Sequence, residues 1–311
     1  MSKLKTIFMG TPDFAVPCLE VLQAKTEVLA VITQPDRPKG RGHNLQASPV
    51  KQKALEYNLP VLQPEKIKTE EFTAELERLQ PDLIVVVAFG QILSQRILDI
   101  PPLGCVNVHA SLLPRYRGAA PIHWSIINGE KETGVTTMLM DAGLDTGDML
   151  LMDKVTITEE MTTEELNDQL MTMGGKLLAE TIDGLANGTI TPEKQDDSIS
   201  NYAGMLNKET GHIDWSKSAV EIHNLIRGLN SWPVAWSMKD GKNYKFWRTK
   251  VENSNSDKAP GTVVELRKNS FCLATGEGLL EVLEIQPPSK KRMSAGDLLR
   301  GHGVAVGDIF N

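Results

Sequence analysis

The run Leu83-Ile84-Val85-Val86-Val87 constrains the fold of this chain more than any other stretch. Five consecutive apolar residues, four of them β-branched, leave no side for solvent, so residues 82–89 suit a strand buried on both faces of a parallel sheet. Parallel neighbours need helical crossovers, and the flanking sequence alternates accordingly. Residues 5–9 read as a strand, 12–23 as a helix, 28–33 as a second strand and 50–56 as a helix. Residues 60–62 then read as a short strand and 69–79 as an amphipathic helix stopped by Pro81. The expected fold class is α/β, with a doubly wound, mostly parallel, Rossmann-like sheet. No G-x-G-x-x-G follows the first strand, only Gly10-Thr11-Pro12, so a dinucleotide is not implied.

A long helix is expected from Thr162 or Thr163 to about Asn187, and beyond it the texture changes. Residues 189–206 lack sustained periodicity and read as a linker. A helix at 219–229 precedes short strands at 234–238, 244–250, 262–267, 271–274 and 279–285, with an Asp240-Gly241 hairpin turn. Strands of this length and spacing fit a five-stranded OB-like β-barrel. The expected division is therefore 1–188, a linker 189–206, and 207–311. Charge divides with it. From Asn207 onward 15 Lys and Arg face 12 Asp and Glu, a net of +3, so the preceding residues carry −10 of the total of −7. Trp215, Trp232, Trp236 and Trp247 lie in the basic part among Lys242, Lys245, Arg248 and Lys290-Lys291-Arg292. Such a patch suits an anionic partner, although barrel core accounts for most of those aromatics.

Cys18, Cys105 and Cys272 are too far apart for a C-x-x-C pair, so a reducing compartment is expected. The opening Ile7-Phe8-Met9-Gly10-Thr11-Pro12 is not a signal peptide, and no apolar run approaches a membrane span, so a cytoplasmic location without a membrane partner is expected. Residues 34–49 read as a long exposed loop carrying Arg37, Lys39, Arg41 and His43 against Asp36, either simply solvated or a binding element.

Chemistry concentrates in residues 104–118. Residues 105–109 form a strand on which Asn107 and His109, two apart, project from one face while Val106 and Val108 take the other. A Ser-Leu-Leu-Pro turn and an Arg-Tyr-Arg-Gly loop follow, and about thirty residues on comes the acidic loop Asp141-Ala142-Gly143-Leu144-Asp145-Thr146-Gly147-Asp148. An amide, an imidazole and a loop carboxylate suit addition of a nucleophile to a carbonyl. Asn107 would donate to the oxygen as it turns negative, and His109 with a carboxylate such as Asp145 nearby would serve as a further donor or general acid. The plainer alternative is an edge strand whose Asn and His satisfy local hydrogen bonds, with the aspartates capping the next strand. Metal binding by Asp141, Asp145 and Asp148 is the weaker reading, because glycines break the calcium-loop pattern and no His lies at ligand spacing.

With Asn107-x-His109, Ser111-Leu112-Leu113-Pro114-Arg115-Tyr116-Arg117-Gly118 and Asp141-x-Gly143-x-Asp145-x-Gly147, the chain resembles the formyltransferases that use 10-formyltetrahydrofolate. Gly10-Thr11-Pro12-Asp13-Phe14, Gln34-Pro35-Asp36-Arg37-Pro38, Ala119-Ala120-Pro121-Ile122 and Lys290-Lys291-Arg292-Met293 extend the resemblance nearly end to end. It implies catalysis by Asn107, His109 and Asp145, and a folate cleft along Ser111, Leu112, Leu113, Pro114 and the Gln91-Ile92 turn. It further implies initiator methionyl-tRNA as acceptor, contact of Arg41 with the acceptor end and a tRNA-binding barrel; no metal and a monomer are expected as well.

Overall fold

In the computed structural model, which describes residues 3–39 and 44–311, the apolar run becomes an inner strand with every residue buried. The strands of its sheet are β1 Lys5–Gly10, β2 Glu27–Ile32, β3 Val61–Leu62, β4 Leu83–Val87, β5 Cys105–His109, β6 Glu132–Leu139 and β7 Met149–Thr156. They lie in the order β7-β6-β5-β4-β1-β2-β3. From β3 to β5 every pairing is parallel, whereas β6 runs antiparallel to β5, with His109 opposite Thr136 and Val106 opposite Leu139. The α/β class and its mostly parallel sheet are thus as the sequence indicated.

Two packing details orient β5. On one face, Val108 is covered by the helix Thr163–Asn187, which comes so close that a Cβ on Gly174 would stand 3.2 Å from the Val108 Cγ1. On the other, Cys105 is buried in one cluster with Ile97 and Leu98, while Asn107, two residues on, is only half-buried. The long helix starts where expected. The Thr162 backbone N–H donates to Glu165 Oε2 at 2.8 Å and Glu165 N–H returns a bond to Thr162 Oγ1 at 3.3 Å, a capping box.

On either side of residues 40–43, the 34–49 segment carries two short strands where the sequence reads as a plain loop. Arg37–Lys39 and Asn44–Gln46 pair as antiparallel strands, with Pro38 opposite Leu45, and Arg41 and His43 lie outside the described residues. Three-residue strands carry too little periodicity to register in sequence. Likewise the helix after β4 is only Gln95–Leu98, so Gln91 and Ile92 belong to the turn before it.

The chain forms two compact units that alternate along the sequence. Met1–Gly118, Thr133–Val155 and Asn167–Tyr202 make the first; Ala119–Glu132, Thr156–Leu166 and Ala203–Asn311 make the second. Within the second, the helix Ala219–Gly228 opens on a Ser218/Glu221 capping box. Gly228 admits the helix Pro121–Ile127, since a Cβ there would meet Ile127 Cγ1 at 2.6 Å. The strands β8 Ala235–Lys239, β9 Lys242–Glu252, β10 Val263–Leu266, β11 Phe271–Ala274 and β12 Leu279–Gln286 form an antiparallel sheet in the order β8-β9-β12-β11-β10. The carboxy-terminal residues link its two edges. Met238 and Asn311 exchange backbone hydrogen bonds at 2.8 and 2.9 Å, Val263 N–H donates to Asp308 O at 2.8 Å, and Phe310 is buried with Trp215, Phe246 and Phe271. Edges bridged in this way make the sheet OB-like. Among the described residues no helix is long and apolar enough to cross a membrane.

His223 of this unit is buried, with Nδ1 3.0 Å from Thr249 Oγ1 and Nε2 3.1 Å from Glu159 O. Burial holds its pKa below the ordinary 6.5, outweighing the raising effect of the Glu159 carbonyl. The unfolded chain therefore binds a proton there more readily than the folded one, and stability rises with pH across that window. We expect the melting temperature to fall as pH drops below 6.5, and a His223→Gln variant to show a shallower fall when both are scanned from pH 8 to 5.

Candidate active site

The acidic loop leaves β6 beside Cys105, where Met140 N–H donates to Cys105 O at 2.7 Å, and folds back over the Asn107 and His109 face. Asp145 lands between the two side chains. Asn107 Nδ2 donates to Asp145 Oδ1 at 3.3 Å, and His109 Nδ1 lies 3.7 Å from Asp145 Oδ2. The Gly118 backbone N–H also donates to Oδ2, at 2.8 Å. Asp145 has φ of +54° and Tyr116 φ of +60°, a left-handed conformation that costs a non-glycine residue about 1–3 kcal/mol. The hydrogen bonds around the two loops offset that cost.

His109 is held in a defined tautomeric sense. Its Nε2 is 2.9 Å from the Tyr116 carbonyl oxygen, which can only accept, so Nε2 carries a hydrogen. Nδ1 is then the ring atom turned toward Asp145, across a gap too long for a direct hydrogen bond. His109 is 6% exposed and the Asp145 side chain 12%, yet Asn107 is half-buried and the adjoining Gly143 and Leu144 are exposed, so solvent reaches the space they share. The site holds one amide donor, one imidazole nitrogen and one carboxylate within a few ångströms. That set can stabilise a developing oxyanion and accept a proton from an amine. Cys105, two residues from Asn107, is no nucleophile: burial, with a smaller push from Asp99, raises its thiol to about 12.

The other residues singled out in the sequence are distributed unevenly. Ser111 is fully buried, with Oγ donating to Arg115 O at 2.7 Å. Leu113 and Pro114 are buried and joined by a cis peptide bond, while Leu112 is half-buried. Leu113 N–H donates to Thr136 Oγ1 at 3.2 Å, which in turn donates to Ser111 O at 2.7 Å. This stretch is a braced turn following His109. The Gln91 side chain is engaged with the backbone of 64–67, accepting from Ile67 N–H at 2.9 Å and donating to Pro64 O at 3.3 Å, whereas Ile92 is exposed. Arg41 lies outside the described residues. Asp141 shapes its own loop, accepting from Gly143 N–H at 2.9 Å and Thr146 Oγ1 at 2.7 Å. Among the described residues no group of three or more His, Cys, Asp or Glu side chains could hold a metal ion.

Sequence reasoning missed Gln195. It lies in the stretch read as a linker, yet its Nε2 donates to Asp145 O at 2.8 Å and Gly147 O at 2.7 Å. No local pattern announces it, because its partners are fifty residues away.

The family described as formyl transferase matches residues 4–182, and its C-terminal domain matches 205–303. A Clostridium perfringens protein named methionyl-tRNA formyltransferase is 54% identical over 308 residues, covering 99% of this chain and 100% of its own. A Trichlorobacter lovleyi protein of the same name is 53% identical over 311 residues, covering 100% and 98%. Among solved structures, the N-formyltransferase from Helicobacter canadensis, in complex with folinic acid and dTDP-3-aminofucose, superposes with a TM-score of 0.67 at 22% identity, covering 94% of this chain and 100% of its own. With both of the family's domains present in order along its length, this chain belongs to the formyl transferase family.

Proposed function

We propose that this chain transfers the formyl group of 10-formyltetrahydrofolate to the α-amine of methionine esterified to initiator tRNA. The observation that carries the reaction is the placement of the Asp145 carboxylate between Asn107 and His109. The names of the relatives at 53–54% identity carry the choice of acceptor. The chemistry fits the residues present: an acyl oxygen needs donors, an attacking amine needs an acceptor, and the site has both.

10-Formyltetrahydrofolate supplies an activated one-carbon acyl group on a folate nitrogen. Asn107 Nδ2 donates to the formyl oxygen as the methionine amine adds to the carbon and the oxygen takes up negative charge. Nδ1 of the protonated His109 ring donates to the same oxygen, while Nε2 stays on the Tyr116 carbonyl. Asp145 orients His109 and, through water, carries a proton from the amine toward the departing folate nitrogen. Ser111, Leu112, Leu113, Pro114, Gln91 and Ile92 line the folate cleft, the turn 111–114, buried except at the half-buried Leu112, by holding its shape and the exposed Ile92 by direct apolar contact. Residues 1–188 carry the transfer, 189–206 link, and 207–311 hold the tRNA body. The enzyme works in the cytoplasm as a monomer.

The test is to incubate the protein with charged initiator tRNA and 10-formyltetrahydrofolate and to assay for a blocked methionine amine. Formylation of an amino-sugar nucleotide in place of the tRNA would overturn the choice of acceptor; tRNA binding without any transfer would overturn the enzyme. Arg41 is assigned to the tRNA acceptor end, so Arg41→Ala is expected to raise the KM for tRNA about tenfold, the loss of one charge-assisted contact, with the KM for folate unchanged. An unaltered KM for tRNA would remove the loop from the interface.

A further inference from the structure

Between residues 191 and 199 every side chain is exposed except that of Gln195, which turns inward. Its amide has one possible orientation. Arg117 Nε, which can only donate, lies 3.0 Å from one end of the amide, so that end is Oε1 and the opposite end is the N–H₂ group. The two hydrogens of Nε2 then serve two carbonyl oxygens, Asp145 O at 2.8 Å and Gly147 O at 2.7 Å. Arg117 is held in turn by Asp197 Oδ1, 2.7 Å from its guanidinium. The residue after Arg117 is Gly118, whose N–H grips the Asp145 carboxylate at 2.8 Å. Backbone and side chain of Asp145 are thus both tied to the 117–118 segment, the backbone through Gln195 and the carboxylate directly.

This matters for the Asp145 backbone, because the loop's other bonds act elsewhere: Asp141 Oδ1 accepts from Gly143 N–H and Thr146 Oγ1, and Asn107 and Gly118 hold the Asp145 carboxylate. Asp145 sits at φ +54°, and from the tip of the loop its carboxylate must face a ring nitrogen 3.7 Å away. Gly147 lies so close to the end of β6 that a Cβ would stand 1.7 Å from Leu139 O, which anchors the loop two residues beyond Asp145. We propose that Gln195 is a positioning residue for the transfer reaction: its amide pins the Asp145 and Gly147 carbonyls and thereby aims the Asp145 carboxylate between Asn107 and His109, with Arg117 locking the amide in the orientation that allows it. The proposal rests on the function assigned above.

Two variants separate positioning from mere support. Gln195→Glu keeps the size and the acceptor for Arg117 but replaces the N–H₂ group with an oxygen facing two carbonyl oxygens; Gln195→Ala removes the side chain. Both are expected to lower kcat for tRNA formylation about 10²-fold, the cost of misplacing a reacting group by about an ångström. The KM values for tRNA and folate should stay close to those of the parent. In an Asp145→Asn background, Gln195→Ala should cause no further loss, because the group it aims is already gone. An unchanged kcat in Gln195→Glu, or full multiplication of the two losses in the double variant, would overturn the proposal. Hydrogen exchange at the Gly118 amide reads the same geometry without catalysis. It should accelerate in Gln195→Ala while the amides of β4 stay protected, and a Gly118 amide protected as in the parent would also overturn the proposal. If the parent protein formylates no tRNA, the function assigned above fails while the exchange experiment still decides whether Gln195 aims Asp145.

Discussion

An Asp145→Asn enzyme is expected to turn over about 10² to 10⁴ times more slowly than the parent, the range lost with a general acid or base. The substitution is nearly isosteric, and an amide oxygen could still accept the Gly118 N–H that Asp145 Oδ2 now receives at 2.8 Å. What it cannot keep is the charge facing His109 Nδ1 across 3.7 Å, or a base for the amine proton. With its oxygen on Gly118, the new N–H₂ group would point at the Asn107 Nδ2 hydrogens, donor against donor. Steady-state kinetics should show the loss in kcat, and a direct binding measurement should show tRNA affinity within about twofold of the parent, since Asp145 is assigned no part in holding tRNA. Unaltered turnover would remove Asp145 from the mechanism.

Asn107→Ala should cost about 10² to 10³ in kcat, or about 2.7–4 kcal/mol of transition-state stabilisation, the measured scale for one oxyanion donor. Asn107 sits on an inner strand whose backbone is paired to Val86 on one side and Met138 on the other, so truncation leaves the strand in register. Among the described residues its side chain bonds to Asp145 Oδ1, at a long 3.3 Å, and the second Nδ2 hydrogen is available to a substrate oxygen. An interaction made only in the transition state should lower kcat and kcat/KM equally, with KM for both substrates unmoved. A rise in KM at constant kcat would make Asn107 a binding residue instead. Because the side chain is half-buried and weakly bonded, the melting temperature should move little.

Both expectations start from a pattern visible in one strand. Asn107 and His109 are two apart, and the period of a strand puts them on one face whatever surrounds it. That Asp145 joins them was one reading of the residues, with capping of the next strand as the other, until the resemblance chose between them, because nothing in the spacing of an acidic loop says where it folds. The antiparallel run of β6 beside β5, with Met140 bonded to Cys105, brings the loop back over that face. Gln91 shows the opposite limit: its position beyond β4 is where a ligand contact is expected, yet its amide is engaged with Ile67 and Pro64. The paired strands Arg37–Lys39 and Asn44–Gln46 escaped notice because strands of three residues are too short to show alternation.

The succession of strands in the main sheet and the helices between them, the buried inner strand, the short strands after 207 and the pairing of Asn107 with His109 all follow from the sequence alone, since each depends on periodicity or on neighbours within about ten residues. Tertiary structure alone decided that Pro121–Ile127 and 156–166 join the second unit, that the carboxy-terminal residues bridge the edges of its sheet, and that Gln195 reaches Asp145. These are contacts between residues tens of positions apart. Their energy comes from burial and hydrogen bonds that exist only after the chain has closed on itself, so no local pattern encodes them.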